Sequence, residues 1–231
     1  MQGSDTMNTS EDNTVIKKNH RNTVSVILNI IIVIFAVIGT VIMISRKGNG
    51  SGLSSSGISN LKYFTVLSNE FCGIVAALWL VFHFFGKRFP AQLKLMATST
   101  VALTFLIVAA FLAPMYPDLN LYENANLWFH LILPLAAMLE FILLKTQQII
   151  PFKYAVFSAL PALVYGIGYL ANILINGKGE WPDTNDWYGF LNWGYPVGIA
   201  IFAVIVLMNF GMAALMRFVN NKLNKHGKRE V

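Results

Sequence analysis

The sequence predicts an all-α, polytopic integral membrane protein with six transmembrane helices and both termini in the cytoplasm. Three observations carry that reading. Of 231 residues, 55% are hydrophobic and only 12% charged, against about 45–50% apolar and about a quarter charged in an ordinary globular domain. Apolar runs long enough to cross the hydrocarbon core recur along the chain, and at ~20 residues per span the length holds six or seven of them and no sizeable extramembrane domain. The basic residues divide unevenly between alternate loops, as topology requires.

Hydropathy places the spans at 24–44, 63–85, 95–116, 127–144, 152–175 and 194–216. The resulting organisation is a polar cytoplasmic leader at 1–23, a six-helix transmembrane domain at 24–216 and a basic cytoplasmic tail at 217–231. The first run follows Lys17, Lys18 and Arg21 like a signal-peptide n-region, but it is long enough to span and lacks an A-x-A cleavage site, so an uncleaved helix is expected. Pro134, Pro161 and Pro196 fall inside or at the ends of spans and predict kinks around a cavity.

Six spans put both termini on one side. Placing them inside gives the cytoplasm Lys17, Lys18, Arg21, Lys87, Arg88, Lys94, Lys145, Lys153, Arg217, Lys222, Lys225, Lys228 and Arg229, which is 13 of the 17 basic residues. Arg46, Lys47, Lys62 and Lys178 remain outside, with the acidic Asp118, Glu123, Glu180, Asp183 and Asp186. The location expected is the cell membrane. A net charge of +6 is thereby explained by topology, and no nucleic-acid partner is expected.

The loop at 48–60 is rich in Gly and Ser and reads as a flexible connection. The loop at 176–193 instead carries Trp181, Trp187, Tyr188, Phe190 and Trp193, which suit either headgroup anchoring or a lid over a lipid-facing site. The single cysteine, Cys72, excludes an internal disulfide and any multi-cysteine zinc site. Walker A, G-x-G-x-x-G, G-x-S-x-G and H-E-x-x-H motifs are absent from the sequence, and neither cofactor nor metal is expected.

A polar side chain inside a span is costly and calls for a partner or a purpose. Thr65, Ser68, Asn69 and Cys72 follow i, i+3, i+4, i+7 spacing and share one face of the second helix, with Glu70 pointing away. The fourth helix offers Asn126 and His130 one turn apart and then Glu140; the fifth carries the stripe Tyr165, Tyr169, Asn172, Asn176. At ~1.5 Å per residue from the outer boundaries, Thr65, His130 and Asn172 all fall roughly 4–6 Å deep. A hydroxyl and an imidazole at one level suit a nucleophile and its general base, while the same residue types also serve as hydrogen-bonding glue between helices.

Lys62-Tyr63-Phe64-Thr65-Val66-Leu67-Ser68-Asn69, followed by Leu127-Trp128-Phe129-His130-Leu131-Ile132-Leu133-Pro134 and then Glu140, resembles bacterial six-helix membrane proteins related to the androgen-induced transmembrane threonine hydrolases. The resemblance covers most of residues 24–216. It implies hydrolysis of fatty acid esters of hydroxy fatty acids, with Thr65 as nucleophile and His130 as base. Asn69, Asn172 and Ser68 are the candidates to orient the base or stabilise an oxyanion, and Glu140 and Tyr169 to support the pair from behind. Glu140 is expected to be protonated or paired. Glu70 and the segment from Trp181 to Tyr188 depart from the pattern. The partner expected is a membrane lipid or fatty-acid ester. Two competing classes are a non-catalytic membrane scaffold or regulator, and a small transporter or ion-coupled channel built on Glu70, Glu140 and the Tyr/Asn stripe.

The charge division makes the orientation testable. After Cys72→Ser removes the native thiol, a cysteine introduced at Ser55 should react with an impermeant maleimide in intact cells. Reaction only after permeabilisation would invert the topology.

Overall fold

The computed structural model describes residues 5–45, 57–115, 117, 121–143, 149–180 and 183–226. Arg46, Lys47, the loop at 48–56, Asp118, Lys145, Trp181, Lys228 and Arg229 lie outside the described residues. Those described form an all-helical chain in which six helices are long and apolar enough to cross a bilayer, making this a multi-pass membrane protein. They are α1 (Asp5–Ser45, apolar over Thr23–Ser45), α2 (Phe64–Phe84), α3 (Ala91–Met115), α4 (Ala125–Leu143), α5 (Phe152–Asn176) and α6 (Tyr195–His226).

The central helix is α3, with 56% of its apolar window buried, against 17% for α6. It packs on α2, α4 and α6, while α1 lies against α2 and α4. Small side chains permit this: Ala97, Val101 and Ala102 of α3 are fully enclosed, as are Ala76 and Ala137 of its neighbours. At the α1–α2 crossing, a Cβ added to Gly73 would lie 2.6 Å from the Cβ of Ala36, so only glycine permits that approach. The outward faces are apolar in the opposite sense, with Ile34, Val164, Ile167, Leu174, Val204 and Leu207 exposed where lipid solvates them.

The prolines shape the helices differently from the expected kinks around a cavity. Residues Val108–Leu112 of α3 and Trp128–Ile132 of α4 form π-helical segments, and each ends two residues before a proline, Pro114 and Pro134. A proline ring clashes with the carbonyl four residues earlier and offers it no N–H, so the preceding turn widens. In α5 the helix breaks between Phe152–Phe157 and Leu160–Asn176, just before Pro161. Asn209 of α6 donates to the Ser158 carbonyl there at 3.0 Å, restoring a partner at the break. Pro196 stands at the second residue of α6, where a missing N–H costs nothing, so it starts a helix rather than bending one.

One end of the bundle is fastened by a buried polar network. Lys94 Nζ lies 3.0 Å from Glu140 Oε2 and also donates to Asn29 Oδ1. Glu140 Oε1 accepts from Asn29 Nδ2 at 2.8 Å and from Ser25 Oγ at 2.6 Å. The ammonium also sits 5.4 Å from the Trp79 ring centre, so α1, α2, α3 and α4 all contribute. Two expectations are corrected here. Lys94 belongs to the interior of α3 at 4% exposure rather than to a loop. Glu140 is paired, as expected of a buried carboxyl, but it answers Lys94 rather than supporting His130, which lies ten residues earlier, about 15 Å along α4.

The network sets a specific stability test. Lys94→Met leaves the Glu140 carboxylate enclosed without its cation, and breaking one side of a buried pair costs about 3–5 kcal/mol. The double variant Lys94→Met/Glu140→Gln should recover most of that loss, read as the unfolding midpoint in detergent. Equal midpoints for the wild type and the single variant would show that the pair contributes nothing.

Candidate functional site

The candidate residues gather at the opposite end. Thr65 is the second residue of α2, in the turn where unpaired N–H groups give the helix its positive pole. That turn is entered from the 3-10 helix Gly57–Lys62, through Tyr63 in extended conformation. His130 is the middle residue of the π-helical segment of α4, so the proline-widened turn displaces it from regular helical register.

Asn69 ties the two turns together. Its Nδ2 donates to the Thr65 carbonyl at 2.7 Å and to the Phe129 carbonyl at 2.9 Å, bringing the nucleophile candidate and the residue before the base candidate to one amide. Both amide hydrogens are thereby used, and none is left for an oxyanion. Asn69 fixes the helix pair instead. Its Oδ1 is buried and finds no donor among the described residues, leaving one acceptor at this turn. Ser68 Oγ donates to the Thr65 carbonyl and lies 3.0 Å from Thr104 Oγ1, joining α2 to α3.

The protonation of His130 follows from its contact. Nδ1 lies 2.7 Å from the Leu121 carbonyl, which only accepts, so Nδ1 carries the hydrogen and Nε2 is left with a lone pair in the neutral ring. Among the described residues no hydrogen bond joins His130 to the half-buried Thr65, whose hydroxyl has no hydrogen-bond partner there.

The loop between α5 and α6 covers this end as a folded cap. Asp186, enclosed, accepts from Tyr169 Oη at 2.6 Å and from the Leu191 N–H at 3.1 Å, with Lys178 Nζ at 3.5 Å. Tyr169 Oη in turn accepts the Tyr188 N–H at 3.2 Å. Tyr188 then reaches α2: its hydroxyl oxygen accepts the Phe64 N–H at 2.9 Å, satisfying one of the unpaired donors beside Thr65. Burial pushes the Tyr188 phenol well above its ordinary range, so it keeps its proton, and its ring meets that of Tyr165 edge-on at 6.5 Å. Tyr165 Oη donates to the Lys62 carbonyl at 2.7 Å and accepts from Trp187 Nε1 at 3.1 Å. Trp187 and Tyr188 pack with Met43, Tyr63, Val66 and Phe129, whereas Trp193 stays exposed.

Two candidates therefore take other places. Tyr169 orders the cap and reaches the Thr65 turn through Tyr188 and through ring contact with Tyr165, which packs on Phe64. Asn172 donates to Asn185 Oδ1 at 3.2 Å within the loop and, among the described residues, has no hydrogen bond to Thr65 or His130. Compared with protein-family models, curated proteins and solved structures, the chain matches none.

The cap makes a prediction at one amide. Tyr188→Phe removes the acceptor of the Phe64 N–H, a loss of about 0.5–1.5 kcal/mol, and should accelerate hydrogen exchange at Phe64 while leaving the Lys94 end protected. Unchanged exchange at Phe64 would mean that the cap does not hold this turn.

Proposed function

We propose that this protein is an intramembrane hydrolase of lipid-like carboxylic esters, with Thr65 as nucleophile and His130 as general base. The observation that carries the reading is the Asn69 amide, which holds the Thr65 and Phe129 carbonyls together and so sets the two turns side by side. Three features add support. His130 has the tautomer a base needs, with Nδ1–H anchored and Nε2 basic. Its π-helical segment is a local departure of the kind enriched at functional sites. The positive pole of α2 favours negative charge developing at Thr65.

In this scheme His130 Nε2 takes the Thr65 hydroxyl proton as Oγ1 attacks the ester carbonyl. The imidazolium then returns the proton to the departing alkoxide, and water releases the acyl group from Thr65 by the same base. The oxyanion forms in the field of the α2 N-terminus. A substrate drawn from the membrane keeps its acyl chain in lipid throughout. The fuller setting we infer is a bacterial cytoplasmic membrane with both termini inside, which the distribution of basic residues supports.

A scaffold is the second reading, favoured by one set of contacts. Ser68 with Thr104, Asn69 with Phe129, Asn209 with Ser158 and Asn220 with Phe141 each join two helices, as structural polar residues do. The transport reading loses its strongest residue, because Glu140 is neutralised by Lys94.

Purified protein in nanodiscs should hydrolyse a long-chain acyl ester and bind a fluorophosphonate covalently at Thr65. Thr65→Ala and His130→Ala should each abolish turnover, with the double variant scarcely worse than either, because the two act as a unit. Thr65→Ser keeps the hydroxyl and should retain activity and labelling. Folded wild-type protein that shows neither adduct nor esterase activity on short and long acyl esters would leave the scaffold reading in its place.

A further inference from the structure

Arg217 is held in place by two contacts that leave most of its donors unused. Its Nε donates to the Ile150 carbonyl at 2.8 Å, and its guanidinium carbon lies 5.5 Å from the centre of the Phe152 ring. Ile150 is itself fixed, because Asn221 accepts its N–H at 2.8 Å and donates to its carbonyl at 3.0 Å. A guanidinium presents five N–H donors in one plane, and only the one on Nε is spent here. Among the described residues neither Nη has a hydrogen-bond partner, and no carboxylate pairs with the group.

Charge and depth both point to a partner outside the chain. From the end of α2 onward, the described acid at this end of the bundle is Glu140, which Lys94 already neutralises, whereas Lys87, Arg88, Lys153, Arg217 and Lys222 are all basic. Lys153 follows Phe152 directly; it is exposed and has no polar partner among the described residues. Between Tyr195, where α6 begins, and Arg217 the helix rises about 33 Å. That matches the ~30 Å hydrocarbon core, so the guanidinium stands at headgroup level. From there towards the bilayer, α5 exposes Val156 and Leu160, and α6 exposes Val204 and Leu207.

We propose that Arg217 and Lys153 form a binding site for the phosphate of an anionic phospholipid, whose acyl chains lie along the exposed faces of α5 and α6. The planar fork of a guanidinium matches two phosphate oxygens. Because Ile150 and Phe152 already anchor it, little side-chain freedom is lost when it binds. Lys153 adds a second positive charge. That charge favours a headgroup of net negative charge over a zwitterionic one, whose own ammonium it repels. The site lies at the Lys94 end of the bundle, away from the Thr65 and His130 turns, and is independent of the hydrolase reading.

Native mass spectrometry of the full chain tests this, with phosphatidylglycerol and phosphatidylcholine of the same acyl chains offered in equal amounts in mixed micelles. Wild-type protein should retain phosphatidylglycerol in preference, by about fivefold. Lys153→Gln should lower that retention by about fivefold, and Arg217→Gln by about tenfold. Arg88→Gln removes an exposed cation at the same end that lacks both anchors, and it should leave retention nearly unchanged. Inorganic phosphate at millimolar concentration should not displace the lipid, since it has no chains to lay against α5 and α6. Three results would overturn the proposal: equal retention of the two lipids, a loss in Arg88→Gln as large as in the site variants, or displacement by free phosphate. Lys153→Gln changes only an exposed side chain, so the outcome does not depend on the folding of Arg217→Gln.

Discussion

The ion pair between Lys94 and Glu140 constrains everything around it. Neither charge is stable alone inside an apolar bundle, so the helices carrying them must meet at one register, with Ser25 and Asn29 of α1 donating to the other carboxylate oxygen. That fixes α1, α3 and α4 relative to one another. The α6 end adds to the same locked face: Asn220 donates to the Phe141 carbonyl, and Asn221 and Arg217 hold the backbone of Ile150. Apolar contact between helices in lipid is weakly selective, since lipid tails offer similar contacts. Directional polar bonds select one arrangement from many.

The opposite end is built by different means. There the chain uses aromatic packing and a folded loop rather than a charge pair between spanning helices. Tyr169 and Tyr188 lie 5.9 Å apart in stacked geometry, and Trp187 meets Tyr169 edge-on at 4.6 Å. Asp186 is the centre of this cap because its carboxylate collects a phenol, a backbone N–H and an ammonium in one place. The hydrogen bond from Phe64 N–H to Tyr188 transmits that order to the turn bearing Thr65. The proposed nucleophile is thus held by a loop more than a hundred residues away in sequence.

How much of this the sequence reveals depends on the range of the interaction. The six spans are legible because hydrophobic length is a local property. The i, i+4 relation between Thr65 and Asn69 is legible too, and the structure uses it in the bond from Asn69 to the Thr65 carbonyl. Lys94 was misplaced because a lysine near a predicted helix start reads as a loop cation; its true role rests on Glu140, 46 positions later. Asn172 shared a depth with His130, but depth does not fix rotation about the helix axis, and its side chain turns to Asn185. The π-helical segments have a common signal in the sequence, since Pro114 and Pro134 stand at the same distance beyond them, but a proline alone does not say whether a turn widens or bends.

Proline placement is the step that connects fold to chemistry at α4. A regular helix would leave His130 in the i+4 register set by Asn126, one among several inward residues. The widened turn before Pro134 instead puts His130 and the Phe129 carbonyl in a segment whose hydrogen bonds no longer follow the regular pattern. The Phe129 carbonyl is taken by Asn69 from α2, and the imidazole by Leu121 from the preceding loop. Each bond crosses between elements and is directional, so together they orient the ring with Nε2 as its basic nitrogen. A histidine acting only as glue would be served by any bond from either ring nitrogen. The proposed base requires this particular one, because anchoring Nδ1–H is what leaves Nε2 able to accept the proton of Thr65.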